Sequence, residues 1–257
     1  MLRRSRYRMR GAAPLFIVAM ALTSLLLKVS IGLLMVVSII ELSLVSATVG
    51  FLTQRAKGTF DIVSGDSTFP ISGEPANLIV DQGHTSNGAS GTAFIVIGCC
   101  GILALWLRSR PGYHAKSSAG LLSRGWYRLW LGLNIPALLL TLGALAFTFA
   151  VDNAHDGQRI DLSVARALNG DAYPAETWTP QNWFDALLKL DLASQTDRSD
   201  IHRVSRIARG WQYNLIPFFV VQLAQTVLAL LEASRKRKAD RQYGYGGVKN
   251  DVGYGGK

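Results

Sequence analysis

The sequence predicts an all-α membrane protein, built as a four-transmembrane-helix bundle with a partly helical outer loop. The first observation behind this prediction is four long apolar stretches, each near the ~20 residues that an α-helix needs to cross a bilayer core. The second is that basic and acidic connecting segments alternate along the chain. The third is that Trp and Tyr residues lie near the ends of the apolar stretches, where their rings favour the membrane–water interface.

Hydropathy divides the 257 residues into nine consecutive segments. In order these are a basic N-terminus with a hydrophobic segment (1–28), the first span (29–52), an outer loop (53–90), the second span (91–107), a basic cytoplasmic loop (108–128), the third span (129–151), a second outer loop with short helices (152–212), the fourth span (213–233), and a cytoplasmic tail that is first basic and then rich in Gly and Tyr (234–257). We expect the Gly/Tyr part of the tail to be disordered, because it holds too little apolar material to bury a core.

Charge orients the predicted bundle. The N-terminal segment contains several arginines, and a further basic cluster follows the fourth span. The loop 108–128 is also basic and contains no Asp or Glu. Cytoplasmic loops carry such an excess of Lys and Arg. We therefore expect both termini and the loop 108–128 in the cytoplasm, and the loops 53–90 and 152–212 outside the cell or in a lumen. The expected location is integral and multi-pass, in the plasma membrane or an endomembrane.

The net charge of +10 raises the question of nucleic acid as a partner. The positions of the basic residues argue against it, because they flank the apolar stretches and do not alternate with aromatic residues that could stack on bases. We expect the partners to be the lipid bilayer and, at the cytoplasmic basic clusters, anionic lipid headgroups. Homo- or hetero-oligomers are equally compatible with the sequence.

The first span has a long apolar preface. Residues 12–52 are apolar except for Lys28 and Glu41, and a helix of that length would extend ~60 Å, about twice the ~30 Å core. Three interpretations are open: a signal peptide, a separate span that turns at Lys28, and a segment that lies on the cytoplasmic interface or extends the span as a tilted helix. We favour the third, since the only small-residue cleavage site lies inside the apolar run and a turn at Lys28 would place the N-terminal arginines outside.

Three polar residues inside the predicted spans form a candidate contact. Glu41 lies near the centre of the first span, while Gln222 and Gln225 lie at mid-depth in the fourth. An ionisable residue at that depth is costly and usually faces the bundle interior, so we expect the three side chains to meet across a helix interface. Two interpretations follow: interhelical hydrogen bonds that hold the bundle together, which we favour, or a proton or cation site.

The second outer loop contains a candidate motif of Trp178, Thr179, Pro180 and Trp183. Thr179 suits an N-cap and Pro180 the first helical position, which predicts a helix from there to about residue 192. Helical spacing predicts a short helix around Val164 and another over 199–211. In the first outer loop, alternating runs at 59–63 and 77–80 favour a small hairpin.

We find no catalytic constellation, and we expect no enzyme, no metal site and no cofactor. The four histidines are scattered over three loops, and no recognised nucleophile, phosphate-binding or zinc motif occurs. Cys99 and Cys100 lie in the second span, where small apolar packing is the usual role of cysteine.

The Glu41-containing first span that ends Val49-Gly50-Phe51-Leu52, together with the motif from Trp178 to Trp183, resembles an uncharacterised family of fungal (ascomycete) tetraspan membrane proteins. The architecture is also similar to that of MARVEL-like and claudin-like tetraspans. The claudin-like pattern carries paired cysteines in its first outer loop, whereas this chain has none there. The resemblance implies the four-span fold and no particular activity.

These observations lead to two functional hypotheses. The first is a multi-pass integral membrane protein with a non-enzymatic role, which organises a membrane region or serves as a subunit of an assembly. The alternative is a small transporter or channel component that uses Glu41 at mid-membrane.

Overall fold

The computed structural model describes residues 5–115 and 117–248, which are mostly helical. Four of its helices are long and apolar enough to span a membrane. Their bounds are Ala21–Gln54, Asp81–Ser109, Ser118–Ala154 and Gln195–Lys238. The prediction of four helices with the length and hydropathy of membrane spans is confirmed. Each of the four is longer than the apolar stretch that predicted it.

Two very long helices run antiparallel along the whole bundle. Helix α1 covers Ser5–Gln54, and helix α7 covers Gln195–Val248. Arg55 pairs with Asp197 at one end, and Arg235 contacts the hydroxyl of Thr23 towards the other. The α1–α7 contact is the most extensive one between helices.

Both helices extend beyond the predicted segments. Helix α1 is continuous through Lys28, so the apolar preface joins the first span as one helix without a turn. Helix α7 merges three predicted segments, namely the helix 199–211, the fourth span and the start of the tail. The helix is described up to Val248, the remainder of the tail lies outside the described residues, and disorder in the Gly/Tyr part of the tail stays a prediction.

The second span starts ten residues earlier than predicted. It consists of α2 (Asp81–Thr92), a π-helical stretch (Ala93–Cys99) and α3 (Cys100–Ser109). The segment of α2 reads DQGHTSNGASGT, which is too polar and glycine-rich to register as a span. Its small side chains allow close packing instead, because a Cβ on Gly83 would lie 3.6 Å from the Trp211 ring.

Helix α4 covers Ser118–Ala154. Its N-cap is Ser117, whose hydroxyl accepts a hydrogen bond from the Gly120 amide. A short 3₁₀ turn, Pro111–His114, connects α3 to it. The aromatic residues near the span ends divide into two groups. Trp106 and Tyr213 are exposed as an interfacial belt requires, whereas Trp130 and Trp211 are buried between helices.

The two long connections, residues 55–80 and 155–194, fold together into one unit, here called the loop domain. The first supplies a hairpin of β1 (Thr59–Ser64) and β2 (Ser67–Ser72) in the register Thr59 to Ser72. The second supplies α5 (Leu162–Leu168) and α6 (Pro180–Leu188).

The hairpin differs from the predicted one in its second strand. Residues 77–80, which the alternating pattern assigned to it, instead run beside the second connection, where Leu78 forms a parallel bridge with Trp178. The loop domain has its own core, and two further apolar clusters lie at successive levels of the helix bundle.

Candidate functional site

Glu41 is fully buried between α1 and α7, and its partner is Asn214. The Asn214 amide donates to Glu41 Oε2 over 2.8 Å and also lies 3.3 Å from the Val37 carbonyl oxygen. Asn214 therefore binds both the side chain and the backbone of α1. The second oxygen, Glu41 Oε1, is buried and accepts no hydrogen bond from any residue that the structure describes.

Gln222 and Gln225 are buried as expected. However, they lie further along α7 than Asn214, which is the residue of α7 that contacts Glu41. Eight residues separate Gln222 from Asn214, which corresponds to about 12 Å along a helix. The hydroxyl of Thr141, on α4, donates to Gln222 Oε1 over 2.6 Å. Within the described part of the chain, Gln225 has no hydrogen-bond partner for either side-chain polar atom. The structure thus ties Glu41 and Gln222 to separate partners and forms no hydrogen bond between them.

The motif of Trp178, Thr179, Pro180 and Trp183 is buried throughout. Thr179 is the N-cap of α6 and accepts from the Asn182 amide over 3.2 Å, while Pro180 occupies the first helical position, as the spacing predicted. The two indole rings meet edge to face with centroids 5.0 Å apart. The Trp183 Nε1 donates to the Gly73 carbonyl oxygen over 2.8 Å. The motif is therefore the core of the loop domain and joins its two connections.

A charged network centred on Arg209 lies where the loop domain meets the bundle. Its Nη1 donates to Asp152 Oδ2 over 2.5 Å, and its Nη2 donates to Asp185 Oδ2 over 2.6 Å and to Asn182 Oδ1 over 3.2 Å. Asp152 is almost fully buried and also accepts from the Thr179 hydroxyl. The network joins α4, α6 and α7, and its guanidinium compensates the buried carboxylate.

Sequence reasoning missed both Asn214 and the Arg209 network. Asn214 follows an aromatic residue at the predicted start of the fourth span, where a polar side chain would face water. Arg209 lies in the predicted helix 199–211, on the side opposite its apolar residues. The feature that accounts for both is the continuity of α7, which makes residues 195–214 part of the same helix as the fourth span.

A second charged cluster lies at the opposite end of the bundle. Glu232 is 3% exposed and accepts from Arg108 Nη1 over 2.8 Å and from the Tyr127 hydroxyl over 3.1 Å. The Lys236 amine lies 3.4 Å from its other oxygen. Arg108, which we expected to contact lipid headgroups, is thus used inside the protein to join α3 to α7.

The residue types that bind metal ions lie apart in the described part of the chain. Among the described residues, no group of three or more His, Cys, Asp and Glu side chains is placed to hold a metal ion. Cys99 is exposed on the bundle surface and Cys100 is half-buried, and both are free thiols. The buried polar groups include amides, hydroxyls, the ion-paired carboxylates of Asp152 and Glu232, and the Glu41 carboxylate, whose partner is the neutral Asn214 amide.

Comparisons of the chain with protein-family models, with curated proteins and with solved structures gave no significant match.

Proposed function

We propose that this protein is a multi-pass integral membrane protein with a non-enzymatic role, either organising a region of the membrane or serving as a subunit of a larger assembly. The observation that supports this role best is the arrangement of its buried polar groups. Glu41–Asn214 joins α1 to α7, Thr141–Gln222 joins α4 to α7, and the Arg209 network joins the loop domain to the bundle. Such contacts fix helices against one another.

The membrane location follows from the surface of the helices. Large apolar side chains are exposed along all four, including Leu25, Val36, Ile102, Leu139 and Val220. Soluble monomers rarely expose apolar surface of this extent, whereas lipid tails would cover it. The positive-inside pattern then orients both termini and the loop 108–128 to the cytoplasm. Membership of a fungal tetraspan family stays a prediction.

A small transporter or channel component is the second candidate function. It is favoured by one specific observation: Glu41 Oε1 and the Gln225 amide are buried polar groups with no hydrogen-bond partner in the residues that the structure describes. An unpartnered buried oxygen costs about 1–3 kcal/mol, so such a group often has a function that accounts for it.

The two functions separate on replacing Glu41 with Gln or with Leu. Glutamine retains an oxygen that accepts from Asn214, so for a structural role we expect Glu41→Gln to keep the melting temperature and the assembly size of the native protein. Leucine leaves the Asn214 amide without its acceptor, and we expect Glu41→Leu to lose about 1–3 kcal/mol of stability. Melting, native electrophoresis and proton or cation flux in reconstituted vesicles are the three measurements.

The flux measurement distinguishes the structural role from the transport role. If the native protein carries no flux and only Glu41→Leu weakens the bundle, the structural role stands. If the native protein carries a flux that Glu41→Gln abolishes while folding and assembly are unchanged, the structural role is wrong and Glu41 is a transport site.

A further inference from the structure

A groove of about 510 Å³ lies between α1 and α2, where the bundle meets the loop domain. This α1/α2 groove is within the ~300–1,000 Å³ range of small-molecule sites. Its lining on α1 starts at Val45 and continues past the end of that helix at Gln54. The rise from Val45 to Gln54 is about 14 Å, close to half of the ~30 Å hydrocarbon core. The groove therefore runs along α1 for a length similar to the thickness of one leaflet.

The α1 wall of the groove is mostly apolar. Val45, Val49 and Leu52 line it, and Val49 is exposed at its rim. The room comes from Ser46 and Gly50, whose spacing is typical of tight helix contacts. However, a Cβ added to Gly50 would meet no atom within 4 Å, so this small-residue pair faces the groove and not another helix.

The end of the groove next to the loop domain carries opposite charges. Lys57 and Glu74 both line this end, whereas His84 and Asn87 line the α2 wall beside and beyond Gly83, which lies at the level of Val45. In the part of the chain that the structure describes, neither Lys57 nor the Glu74 carboxylate forms an ion pair. A lysine matches a phosphate and a carboxylate matches a quaternary or primary ammonium, and a zwitterionic phospholipid headgroup presents both groups.

We propose that the α1/α2 groove binds one zwitterionic phospholipid, with an acyl chain along Val45, Ser46 and Gly50 and the headgroup between Lys57 and Glu74. The open shape of the groove, its apolar α1 wall and the opposite charges of Lys57 and Glu74 favour a zwitterionic lipid over an anionic lipid, which Glu74 repels. The inference rests on the proposed membrane location. It adds a specific lipid site to a protein whose other lipid contacts are general.

The test uses the full-length protein in vesicles of phosphatidylcholine that contain a phosphatidylcholine analogue with a photoreactive acyl chain. A filled variant, Ser46→Leu with Gly50→Leu, occupies the groove. The matched control makes the same two changes at exposed positions away from the groove, Ser43→Leu with Gly143→Leu. We expect crosslinks on peptides that contain residues 45–53 and 78–87, reduced about tenfold in the filled variant and unchanged in the control.

A second arm tests the headgroup. Lys57→Gln with Glu74→Gln removes both charges, and we expect it to lose about tenfold in preference for the phosphatidylcholine probe over a phosphatidylglycerol probe. Equal labelling of the filled and control variants would overturn the proposal, and so would preferential labelling by phosphatidylglycerol in the native protein. Flotation with vesicles separates the lipid-site proposal from the proposed membrane location. If the protein floats but its groove is not labelled, only the lipid site is wrong. If the protein fails to float, the proposed membrane location is wrong as well.

Discussion

Small residues in the first two spans occupy two different environments, although their spacing is similar. A Cβ added to Gly98 would lie 2.5 Å from Met35 Cγ, and one added to Gly101 would lie 2.8 Å from Trp130 Nε1. Because these two glycines have no side chain, α1 and α4 can pack close to the second span. Gly50 has open space beside it. Spacing alone predicts that a small residue is needed, but only the structure distinguishes a helix contact from a groove.

Gly101 gives a residue-scale prediction. Trp130 is 1% exposed and donates from Nε1 to the Ile97 carbonyl oxygen over 3.1 Å, so its ring cannot move aside without breaking that hydrogen bond. Overpacking costs about 1–3 kcal/mol, and a helical Gly→Ala change returns up to about 1 kcal/mol. We expect Gly101→Ala to lower the melting temperature of the detergent-solubilised protein. Gly132→Ala, at an exposed position of α4 with nothing within 4 Å, serves as the control.

The control is expected to melt at or slightly above the native protein, because alanine favours the helix and meets no neighbour. A Gly101→Ala protein that melts with the control would contradict the close contact between the second span and α4.

Helix starts in the loop domain rest on two different N-caps. Asp161 caps α5 at the surface, where its carboxylate accepts from the Ser163 hydroxyl and from backbone amides, which lowers its pKa below the usual value. Because the folded pKa is depressed, the contribution of the carboxylate charge to this cap is complete above the ordinary aspartate pKa of about 4, and that contribution is lost as the pH falls through the folded value. Thr179 caps α6 in the interior and carries no charge that titrates.

Thr179 therefore gives an element-scale prediction. Its hydroxyl accepts from Asn182 N and donates to Asp152 Oδ1 over 2.8 Å, so that Thr179→Ala removes a cap and a donor to a buried carboxylate. We expect a loss of about 2 kcal/mol, near the upper end for an N-cap. Thr179→Ser retains both hydrogen bonds and should recover most of the loss. Chemical unfolding followed by tryptophan fluorescence measures it, since Trp178 and Trp183 adjoin the cap.

Asp161→Ala is the comparison for an exposed cap, with an expected effect that is smaller than that of Thr179→Ala at neutral pH and smaller still in acid. If the two alanine variants unfold alike at neutral pH, Thr179 acts as an ordinary cap, and its bond to Asp152 contributes nothing to stability.

At the level of elements, the sequence predicts what hydrophobicity and capping control. The four spans and the start of α6 at Pro180 follow from local signals. The residues of α2 could not be predicted as helix, because their helicity depends on packing against Trp211 and α4 and not on their own composition. The pairing of Glu41 with Asn214 depends on the register of two antiparallel helices, which no local pattern encodes.

The whole molecule is asymmetric along the bundle axis. The loop domain is attached at the end of α1 that contains Gln54 and at the start of α7, whereas the Glu232 cluster and the basic residues that follow it lie at the other end. A single continuous α1 fixes the relation of Ser5 to the hairpin. If that helix crosses the bilayer once, Ser5 and Ser67 lie on opposite sides, and from the charge distribution we expect Ser5 in the cytoplasm.

Accessibility labelling tests both statements separately. In a background with Cys99 and Cys100 replaced by Ala, single cysteines are introduced as Ser5→Cys or as Ser67→Cys, the latter at an exposed position of β2. In sealed membranes of known orientation, we expect a membrane-impermeant maleimide to react with position 67 from the non-cytoplasmic side and with position 5 only from the cytoplasmic side. Reaction of both positions from one side would mean that the 50 residues of α1 do not cross the bilayer once. Reaction from opposite sides with the reverse assignment would keep the fold and reverse the orientation, because the number of crossings depends on helix length and hydropathy, whereas the direction depends only on the basic residues at the bundle ends.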